Sequence, residues 1–319
     1  MNCTKEEAKY FLKQMMEIRQ FEDKIMDLLA QNIAEGGSHL YAGEEAVAVG
    51  AMAAIRPDDY ITSTHRGHGH CVAKGGKLNE LMAEILGKKT GCCKGKGGSL
   101  HLADMSTYNL GANGIVGGGF GIAVGAALSM KIQKTGNVVL CFFGDGATNQ
   151  GLFHECANMA GTWKLPVVFV CENNLYGMSV SVKRASAVQD FVHKAAPYNM
   201  PGEHVDGQDV LAVRDVVKKY AERARAGEGP GMVIAATYRY YGHSRSDPRA
   251  YRTKEEEKYW SDQDPIKLFS AKCINEKYMT ADDVKSLDKF VEGEIDTATK
   301  FAIDSPLPDN SELYEDLYA

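Results

Sequence analysis

The segment NVVLCFFGDG, residues 137–146, decides the fold class of this chain. Its apolar residues run without polar alternation, which is typical of a strand covered on both faces and therefore of a parallel sheet. The segments PVVFVCE (166–172) and GMVIAATYR (231–239) repeat the pattern, with helical periodicity at about 150–162 and 208–226 between them. The sequence therefore predicts an α/β fold with a doubly wound, mostly parallel sheet.

Helices are predicted on both sides of this sheet region. Residues 4–55 carry helical apolar spacing, and Thr4 with Glu7 fits a capping box at the start of the first helix. Residues 253–319 are charged and helical, without a further strand pattern. With 319 residues, of which 44% are hydrophobic, we expect a single α/β domain with helical N- and C-terminal extensions.

Composition restricts the class of partner. The 42 acidic residues exceed the 36 lysines and arginines, and the net charge of −6 argues against a nucleic-acid partner. The eight cysteines show no C-x-x-C spacing and several lie in apolar runs, so we expect reduced, mostly buried thiols. The sequence has neither a signal-peptide pattern nor an apolar run of about 18 residues, which predicts a cytoplasmic protein without a membrane association.

Two polar side chains follow neighbouring strands of the predicted sheet. Asp145 lies between two glycines after the first buried strand, and Asn174 follows the second. Both side chains are expected at the carboxyl edge of the sheet, where doubly wound folds bind ligands. A carboxylate and an amide oxygen suit Mg²⁺, and the flanking glycines allow a diphosphate to approach the backbone. A lone G-D-G is more often a simple turn, but the second motif favours the ligand interpretation.

The stretch STHRGHGH, residues 63–70, follows a short predicted strand and is expected to form a loop. Its alternating histidines, His65, His68 and His70, would suit zinc, but a fourth ligand is missing and Arg66 would repel a divalent metal. An arginine among histidines suits a diphosphate instead. A histidine-rich loop with ordinary hydrogen bonds is the third alternative.

A second cationic segment, residues 236–252, begins in the last predicted strand. Its basic residues are Arg239, His243, Arg245, Arg249 and Arg252. At the carboxyl end of a strand such a loop would neutralise a diphosphate, whereas most charge clusters are solvated surface loops.

A resemblance joins these motifs. The interval between GDG and NN is that of the thiamine diphosphate signature. The segment FFGDGATNQGLFHECANMAGTWKLPVVFVCENNLYGMSVSV resembles the α subunit of the first component of 2-oxo acid dehydrogenase complexes, including the acetoin dehydrogenase branch. The likeness implies the diphosphate-binding half of the thiamine diphosphate-binding fold, with thiamine diphosphate and Mg²⁺ as cofactors. Asp145, Asn174 and the Tyr176 carbonyl would then bind Mg²⁺, while Gly146 and Ala147 would line the diphosphate.

The same resemblance implies roles for the cationic segments. Arg66, Arg239 and His243 would contact the diphosphate, with His68 beside it, and the 240–252 loop would order when the cofactor binds. By the same likeness His65 is assigned to the cofactor site.

Further residues are implied near the cofactor rings and the reacting carbon. Gly114, Ile115 and Val116 match the segment that touches the two rings. His39 matches the family histidine near the reacting carbon; a histidine bonded to backbone at a helix entry is an equal alternative. His39 and His243 are the candidates for proton transfer.

One departure from the family pattern bears on the substrate. Many pyruvate-specific members carry a tyrosine where this chain has His65, and HRGHGH is similar to the acetoin-cleaving branch. We therefore expect cleavage of acetoin to acetaldehyde and a two-carbon (hydroxyethyl or acetyl) unit that is passed to a lipoyl acyltransferase. The alternative is oxidative decarboxylation of pyruvate or a branched-chain 2-oxo acid. No G-x-G-x-x-G has the spacing for direct NAD binding.

The resemblance also implies partner chains. The glutamate that activates the cofactor lies in a second domain in this family, and this chain has no second sheet pattern. We expect a β subunit to supply it, in an assembly of two α and two β subunits with the cofactor at their interface. Ser244 matches a serine phosphorylated in mitochondrial pyruvate enzymes, but no such regulation is expected here because no transit peptide is recognised.

Overall fold

The structure, a computed structural model, describes residues 1–316. Its helices are α1 (Lys5–Ala30), α2 (Glu45–Ala53), α3 (His68–Ala73), α4 (Leu78–Ile85), α5 (Gly119–Gln133), α6 (Gly151–Thr162), α7 (Val182–Ala185), α8 (Val192–Ala195), α9 (Val210–Arg225), α10 (Lys254–Asp262), α11 (Pro265–Asn275) and α12 (Ala281–Asp304). Its strands are β1 (Tyr60–Thr62), β2 (Val139–Gly144), β3 (Val167–Asn173), β4 (Tyr176–Gly177), β5 (Val180–Ser181), β6 (Gly202–Asp206) and β7 (Gly231–Ala236).

Five of these strands form one parallel sheet in the order β1-β2-β3-β7-β6. The three segments predicted as buried strands are β2, β3 and β7, which confirms the doubly wound, mostly parallel α/β fold. In the register, Gly144 of β2 pairs with Glu172 of β3, so the carboxyl ends of these strands lie side by side. The short strands β4 and β5 form a separate antiparallel hairpin directly after β3.

Successive residues of β2 face two different helical layers. Val139, Cys141 and Phe143 pack in a cluster with residues of α5 and α6, whereas Leu140 and Phe142 pack with residues of α9 on the opposite face. Burial of each such aliphatic or aromatic side chain stabilises the fold by roughly 1.5–3 kcal/mol. Because both faces are covered, the strand needs no polar alternation.

The terminal helices form a third packed layer. Helix α1 lies against α2, α3, α11 and α12 around a separate apolar cluster. The predicted capping box is present, since the Glu7 amide donates to Thr4 Oγ1 at 3.1 Å and the Thr4 amide donates to Glu7 Oε2 at 2.7 Å. Helices α10 to α12 confirm the helical C-terminal extension, while residues 317–319 of that prediction lie outside the described range. Within residues 1–316, no helix combines the length and apolarity needed to span a bilayer.

Several elements differ from the sequence prediction, among them the short elements β4, β5, α7 and α8, which were not predicted. The loop expected over residues 63–70 is wrong at its end, because His68 begins helix α3. Helix α5 was not predicted, because glycines such as Gly121 and Gly125 obscure its helical pattern. Strand β6 was not predicted either, since it is an edge strand in which only Val205 is buried.

Candidate active site

The carboxyl ends of β2 and β3 border a cavity of about 300 Å³. The sequence-predicted residues that line it are His65, Arg66, Ile115, Val116, Asp145, Gly146, Ala147, Asn174, Tyr176, Arg239 and His243. The structure thus brings together residues from five separate segments of the chain. His39 and Gly114 are adjacent to this lining: His39 packs against the rings of His65 and His243, and Gly114 precedes Ile115.

Asp145 is a buried carboxylate at the end of β2. Burial raises the pKa of Asp145 to about 6, although Arg239 and the backbone amides of Asp145 and Asn174 act in the opposite direction. The Asp145 carbonyl accepts the Thr148 hydroxyl at 2.7 Å, which fixes the 3-10 turn Asp145–Asn149. A carboxylate that is costly to keep ionised in the protein alone gains most from a bound cation.

The side-chain amide of Asn174 is only half satisfied by hydrogen bonds. Its Nδ2 donates to Glu44 Oε1 at 3.1 Å, while its buried Oδ1 has no hydrogen-bond partner among the described residues. An unpaired buried amide oxygen costs about 1–3 kcal/mol. Because Asp145 and Asn174 line the same cavity, their oxygens fit the donor set of Mg²⁺.

The backbone around the third predicted metal ligand is constrained. Leu175 has φ 74° and Met178 has φ 53°, both left-handed values that are uncommon for residues with side chains. The Tyr176 carbonyl between them accepts Arg239 Nη1 at 3.0 Å. A carbonyl oxygen has two lone pairs, so this bond leaves one acceptor position on Tyr176.

Two glycines leave the floor of the cavity free of side chains. A Cβ at Gly144 would meet no other atom within 4 Å, and one at Gly146 would approach only the Gly177 Cα, at 3.6 Å. Phosphate oxygens can therefore approach the backbone at the end of β2.

Two arginines place positive charge inside the cavity. Arg66 is buried and donates through Nη1 to the Leu40 carbonyl at 3.1 Å and through Nη2 to the His243 carbonyl at 2.6 Å. Burial, followed by the neighbouring Arg239, lowers the pKa of Arg66 to about 10. Within the described chain neither guanidinium forms a salt bridge of 4.0 Å or less to a carboxylate, so the pair fits a multiply charged anion such as a diphosphate.

Three histidines converge beside these arginines. The ring centroids of His39 lie 4.9 Å from those of His65 and of His243. Burial lowers the pKa of all three rings, and the charge of Arg66 is the next largest cause. The pKa is about 4 for His39, about 2 for His65 and about 3 for His243. Arg66 Nη2 also approaches His243 Nδ1 at 3.2 Å; because a guanidinium only donates, the neutral His243 ring carries its proton on Nε2.

The zinc alternative built on His65, His68 and His70 is not supported by the geometry. His68 lies between Glu22 Oε2 and Ser99 Oγ, each 2.9 Å from one of its ring nitrogens. His70 likewise uses its ring nitrogens on Glu172 and Ser63. His68 is absent from the residues that line the cavity and both of its ring nitrogens are paired, so its expected position beside the diphosphate stays a prediction.

Sequence reasoning missed two buried glutamates. Glu44 contacts Asn174, and Glu172 lines the cavity while accepting a hydrogen bond from the Tyr41 hydroxyl. Burial raises the pKa of Glu44 to about 8, and the nearby charge of Glu172 adds to that rise. The sequence signal for Glu44 is an acidic residue at the start of an apolar helix. The signal for Glu172 is its position directly before the two asparagines.

The cationic loop is folded over the cavity by one carboxylate. Asp247 accepts the His243 amide at 2.7 Å, the Arg249 amide at 2.9 Å and the Tyr251 hydroxyl at 2.7 Å. Burial would raise its pKa, but these hydrogen bonds hold the pKa of Asp247 at about 2. The loop is therefore attached to the backbone of His243 and, through Tyr251, to Arg239.

This chain is similar in sequence to known proteins over nearly its whole length. The family model described as "Dehydrogenase E1 component" matches residues 13–311. The α subunit of acetoin:2,6-dichlorophenolindophenol oxidoreductase from Bacillus subtilis is 50% identical over 319 residues, covering 100% of this chain and 95% of that protein. The α subunit of the pyruvate dehydrogenase E1 component from Rhizobium meliloti is 41% identical, covering 98% of this chain and 90% of its own length. The mitochondrial α subunit of the pyruvate dehydrogenase E1 component from Sminthopsis macroura is 42% identical, covering 99% of this chain and 86% of its own length.

Proposed function

Because the chain belongs to the dehydrogenase E1 component family, a thiamine diphosphate-dependent class, we propose that it is the α subunit of an acetoin dehydrogenase. The proposal rests on four side chains that line one cavity. Asp145 is a buried carboxylate with a raised pKa, and Asn174 has a buried Oδ1 without a hydrogen-bond partner among the described residues. The other two side chains are Arg66 and Arg239, neither of which is paired with a carboxylate in the described chain. One half of this arrangement fits a divalent cation and the other half fits a diphosphate.

The residues present fit the cofactor and its metal. Asp145, Asn174 Oδ1 and the Tyr176 carbonyl would hold Mg²⁺, with Gly146 and Ala147 beside the diphosphate. Arg66, Arg239 and His243 would contact the diphosphate oxygens, with His65 beside them. Thiamine diphosphate supplies a nucleophilic carbon that adds to the substrate carbonyl and accepts the electron pair when the adjacent C–C bond breaks.

In this proposal, residues 114–116 face the ring end of the cofactor. Ile115 and Val116 line the cavity and Gly114 precedes them, as the resemblance implies for the two rings. Ile115 is 74% exposed, so it is available to both the cofactor and a partner chain.

Two histidines handle protons in the proposed reaction. His39 Nδ1 is buried without a hydrogen-bond partner among residues 1–316, so its lone pair can accept the acetoin hydroxyl proton as acetaldehyde leaves. His243, held with its proton on Nε2 by Arg66, can donate a hydrogen bond to the substrate oxygen. Both rings are neutral before an anion binds, because burial lowers the pKa of each.

The charge of the cavity favours a neutral ketone over a 2-oxo acid. The cations that line the described cavity are Arg66 and Arg239, and a bound diphosphate neutralises them. Burial, with the Arg66 charge next, lowers the pKa of His65 to about 2 and that of His243 to about 3, so before the cofactor binds neither ring offers an imidazolium to a substrate carboxylate. The acetoin relative, at 50% identity, supports the same choice over the pyruvate relatives at 41–42%. Pyruvate or a branched-chain 2-oxo acid is the second candidate.

The surface beside the cavity supports a partner subunit. Ile115, Val116, Ile122, Leu152 and Met178 are exposed apolar side chains near the cavity or on the helices beside it. Exposed Gly121 and Gly125 of α5 have no atom within 4 Å of an added Cβ, so packing inside this chain does not require them. Each costs a helix about 0.5–1 kcal/mol relative to alanine, which is consistent with close approach of another chain.

We assign that face to a β subunit, in an assembly of two α and two β subunits. The β subunit supplies the glutamate that activates the cofactor. A lipoyl-bearing acyltransferase then receives the two-carbon unit.

A substrate comparison tests the proposed function. The α chain is co-expressed with its β subunit, loaded with thiamine diphosphate and Mg²⁺, and assayed by reduction of 2,6-dichlorophenolindophenol with acetoin, pyruvate or branched-chain 2-oxo acids. We expect the largest kcat/KM for acetoin and no turnover by the Asp145→Asn variant. A larger kcat/KM for pyruvate, with no acetoin turnover, would overturn the substrate assignment and leave the family unchanged.

A further inference from the structure

Two adjacent thiols lie together in the loop of residues 91–98, outside the cofactor cavity. The Sγ atoms of Cys92 and Cys93 are 4.0 Å apart. A soft metal or metalloid with bonds of roughly 2.3 Å, as in Zn–S, spans two sulfurs about 3.8 Å apart at a tetrahedral angle. A disulfide would instead require an approach to about 2.05 Å. The observed spacing is therefore closer to that of a bridged dithiol than to that of a disulfide.

Glu84 holds this loop in place and is not available as a ligand. Its Oε2 accepts the amides of Cys93 and Gly95, both at 2.8 Å. Its Oε1 accepts the amides of Gly97 at 2.7 Å and Gly98 at 3.0 Å. Four hydrogen bonds occupy the carboxylate, so a metal or metalloid centre would be bound by the two sulfurs. The same bonds fix the backbone that carries both thiols, which lowers the entropy lost on chelation.

The local contacts fix the position of the Cys93 sulfur. Its Sγ accepts the Ala103 amide at 3.3 Å, and the thiol donates to the Ala103 carbonyl, also at 3.3 Å. Both cysteines are partly exposed, whereas Cys71, Cys141, Cys156, Cys171 and Cys273 are buried. A reagent can thus reach this pair in the folded chain. Cys3 is also partly exposed and, within residues 1–316, forms no sulfur–sulfur contact like that of Cys92 and Cys93, which makes it a matched control.

We propose that Cys92 and Cys93 form a dithiol site that chelates a thiophilic metal or metalloid centre, with trivalent arsenic as the diagnostic ligand. With an arylarsenoxide, two S–H bonds and the As–O bond break, two As–S bonds form, and the oxygen leaves with both protons as water. Arsenic stays trivalent, so no oxidant or reductant is needed. The inference does not rest on the proposed function.

Phenylarsine oxide tests the site on the full chain co-purified with its β subunit. Intact-mass spectrometry of the α chain is expected to detect one adduct, of the reagent minus water, that a dithiol removes and an equal concentration of monothiol groups does not. Cys92→Ser and Cys93→Ser are each expected to abolish the dithiol-specific adduct, while Cys3→Ser retains it. Circular dichroism melts verify that each variant is folded.

Peptide mapping of the wild-type chain gives a result that does not depend on the variants. The adduct is expected to protect Cys92 and Cys93 together from alkylation by iodoacetamide. Absence of an adduct on the wild-type chain, protection of other cysteines instead, or an undiminished adduct on folded Cys92→Ser would overturn the proposal. None of these results depends on acetoin turnover, so failure here is distinct from failure of the proposed function.

Discussion

Asn174 and Glu44 are joined by a hydrogen bond of 3.1 Å from the amide Nδ2 to the carboxyl Oε1. In this arrangement Nδ2 faces Glu44, and the unpaired Oδ1 is left for another partner. Glu44 comes from the start of α2 and Asn174 from the end of β3, so a residue far away in sequence orients the proposed metal ligand. Orientation of a ligand by a residue behind it is common in metal sites.

A pair of Glu44 substitutions separates orientation from charge. Burial, with the nearby charge of Glu172 next, raises the pKa of Glu44 and favours its neutral carboxyl form, so Glu44→Gln preserves the shape and an acceptor oxygen of the side chain. We expect Glu44→Gln to bind thiamine diphosphate in the presence of Mg²⁺ as the wild type does. Glu44→Ala, which leaves the Asn174 amide unpaired, is expected to weaken binding about tenfold, or about 1.4 kcal/mol. Isothermal titration calorimetry measures both, and equal weakening in the two variants would contradict the orienting role.

The two buried arginines are expected to contribute affinity for the diphosphate group. Arg66→Gln or Arg239→Gln removes a charge-assisted contact of about 1.5–3 kcal/mol, so the cofactor Kd should rise roughly 10- to 100-fold. The control is Arg223→Gln, which changes net charge equally but removes a partly exposed arginine, outside the cavity, that is paired with Glu228. Thiamine without phosphates provides a second control, because its affinity should not change. A Kd unaffected by either cavity variant would argue against diphosphate at this position.

His65 is expected to influence substrate preference. The neutral ring packs against those of His39 and His243, and the resemblance places a tyrosine at this position in many pyruvate-specific enzymes. We expect His65→Tyr to lower the ratio of kcat/KM for acetoin to that for pyruvate about tenfold, equivalent to about 1.4 kcal/mol. Steady-state rates with both substrates measure the ratio. His204→Tyr, at an exposed edge-strand position, provides the control; a parallel loss with both substrates would assign His65 to general integrity.

Asp247 makes the 240–252 loop sensitive to acid. Its pKa is lowered from 3.8 to about 2 by the His243, Tyr251 and Arg249 hydrogen bonds, which outweigh burial. Stability from this group is therefore complete above pH 3.8 and is lost as the pH falls towards 2. After allowance for solvent screening we expect Asp247→Asn to lower the free energy of unfolding by about 1 kcal/mol at neutral pH. The difference from wild type, measured by urea unfolding, should shrink below about pH 4; a difference independent of pH would contradict this origin.

The sheet and the proposed metal ligands could be predicted because they depend on short-range patterns. The uninterrupted apolar runs of β2 and β3 follow directly from burial on both faces. The carboxyl ends of parallel neighbours must meet at one edge, so Asp145 and Asn174 were expected to lie together. The helical termini followed from periodicity and from the Thr4 capping signal.

Other features depend on contacts between distant segments. His65 lines the cavity and His68 does not, although they are three residues apart. The reason is that His68 forms hydrogen bonds with Glu22 of α1 and with Ser99. The burial of Glu44 depends on α2 packing beside β3, which local sequence does not encode. Glycines on the exposed face of α5 hid that helix, since packing within the described chain does not require them.

A crystal structure of the chain with its β subunit, thiamine diphosphate and Mn²⁺ tests the proposed metal ligands, with Mn²⁺ substituted for Mg²⁺ as an anomalous scatterer. We expect an anomalous peak about 2.1 Å from the Asp145 carboxylate and Asn174 Oδ1. A bound cofactor with the metal peak away from both side chains would contradict it.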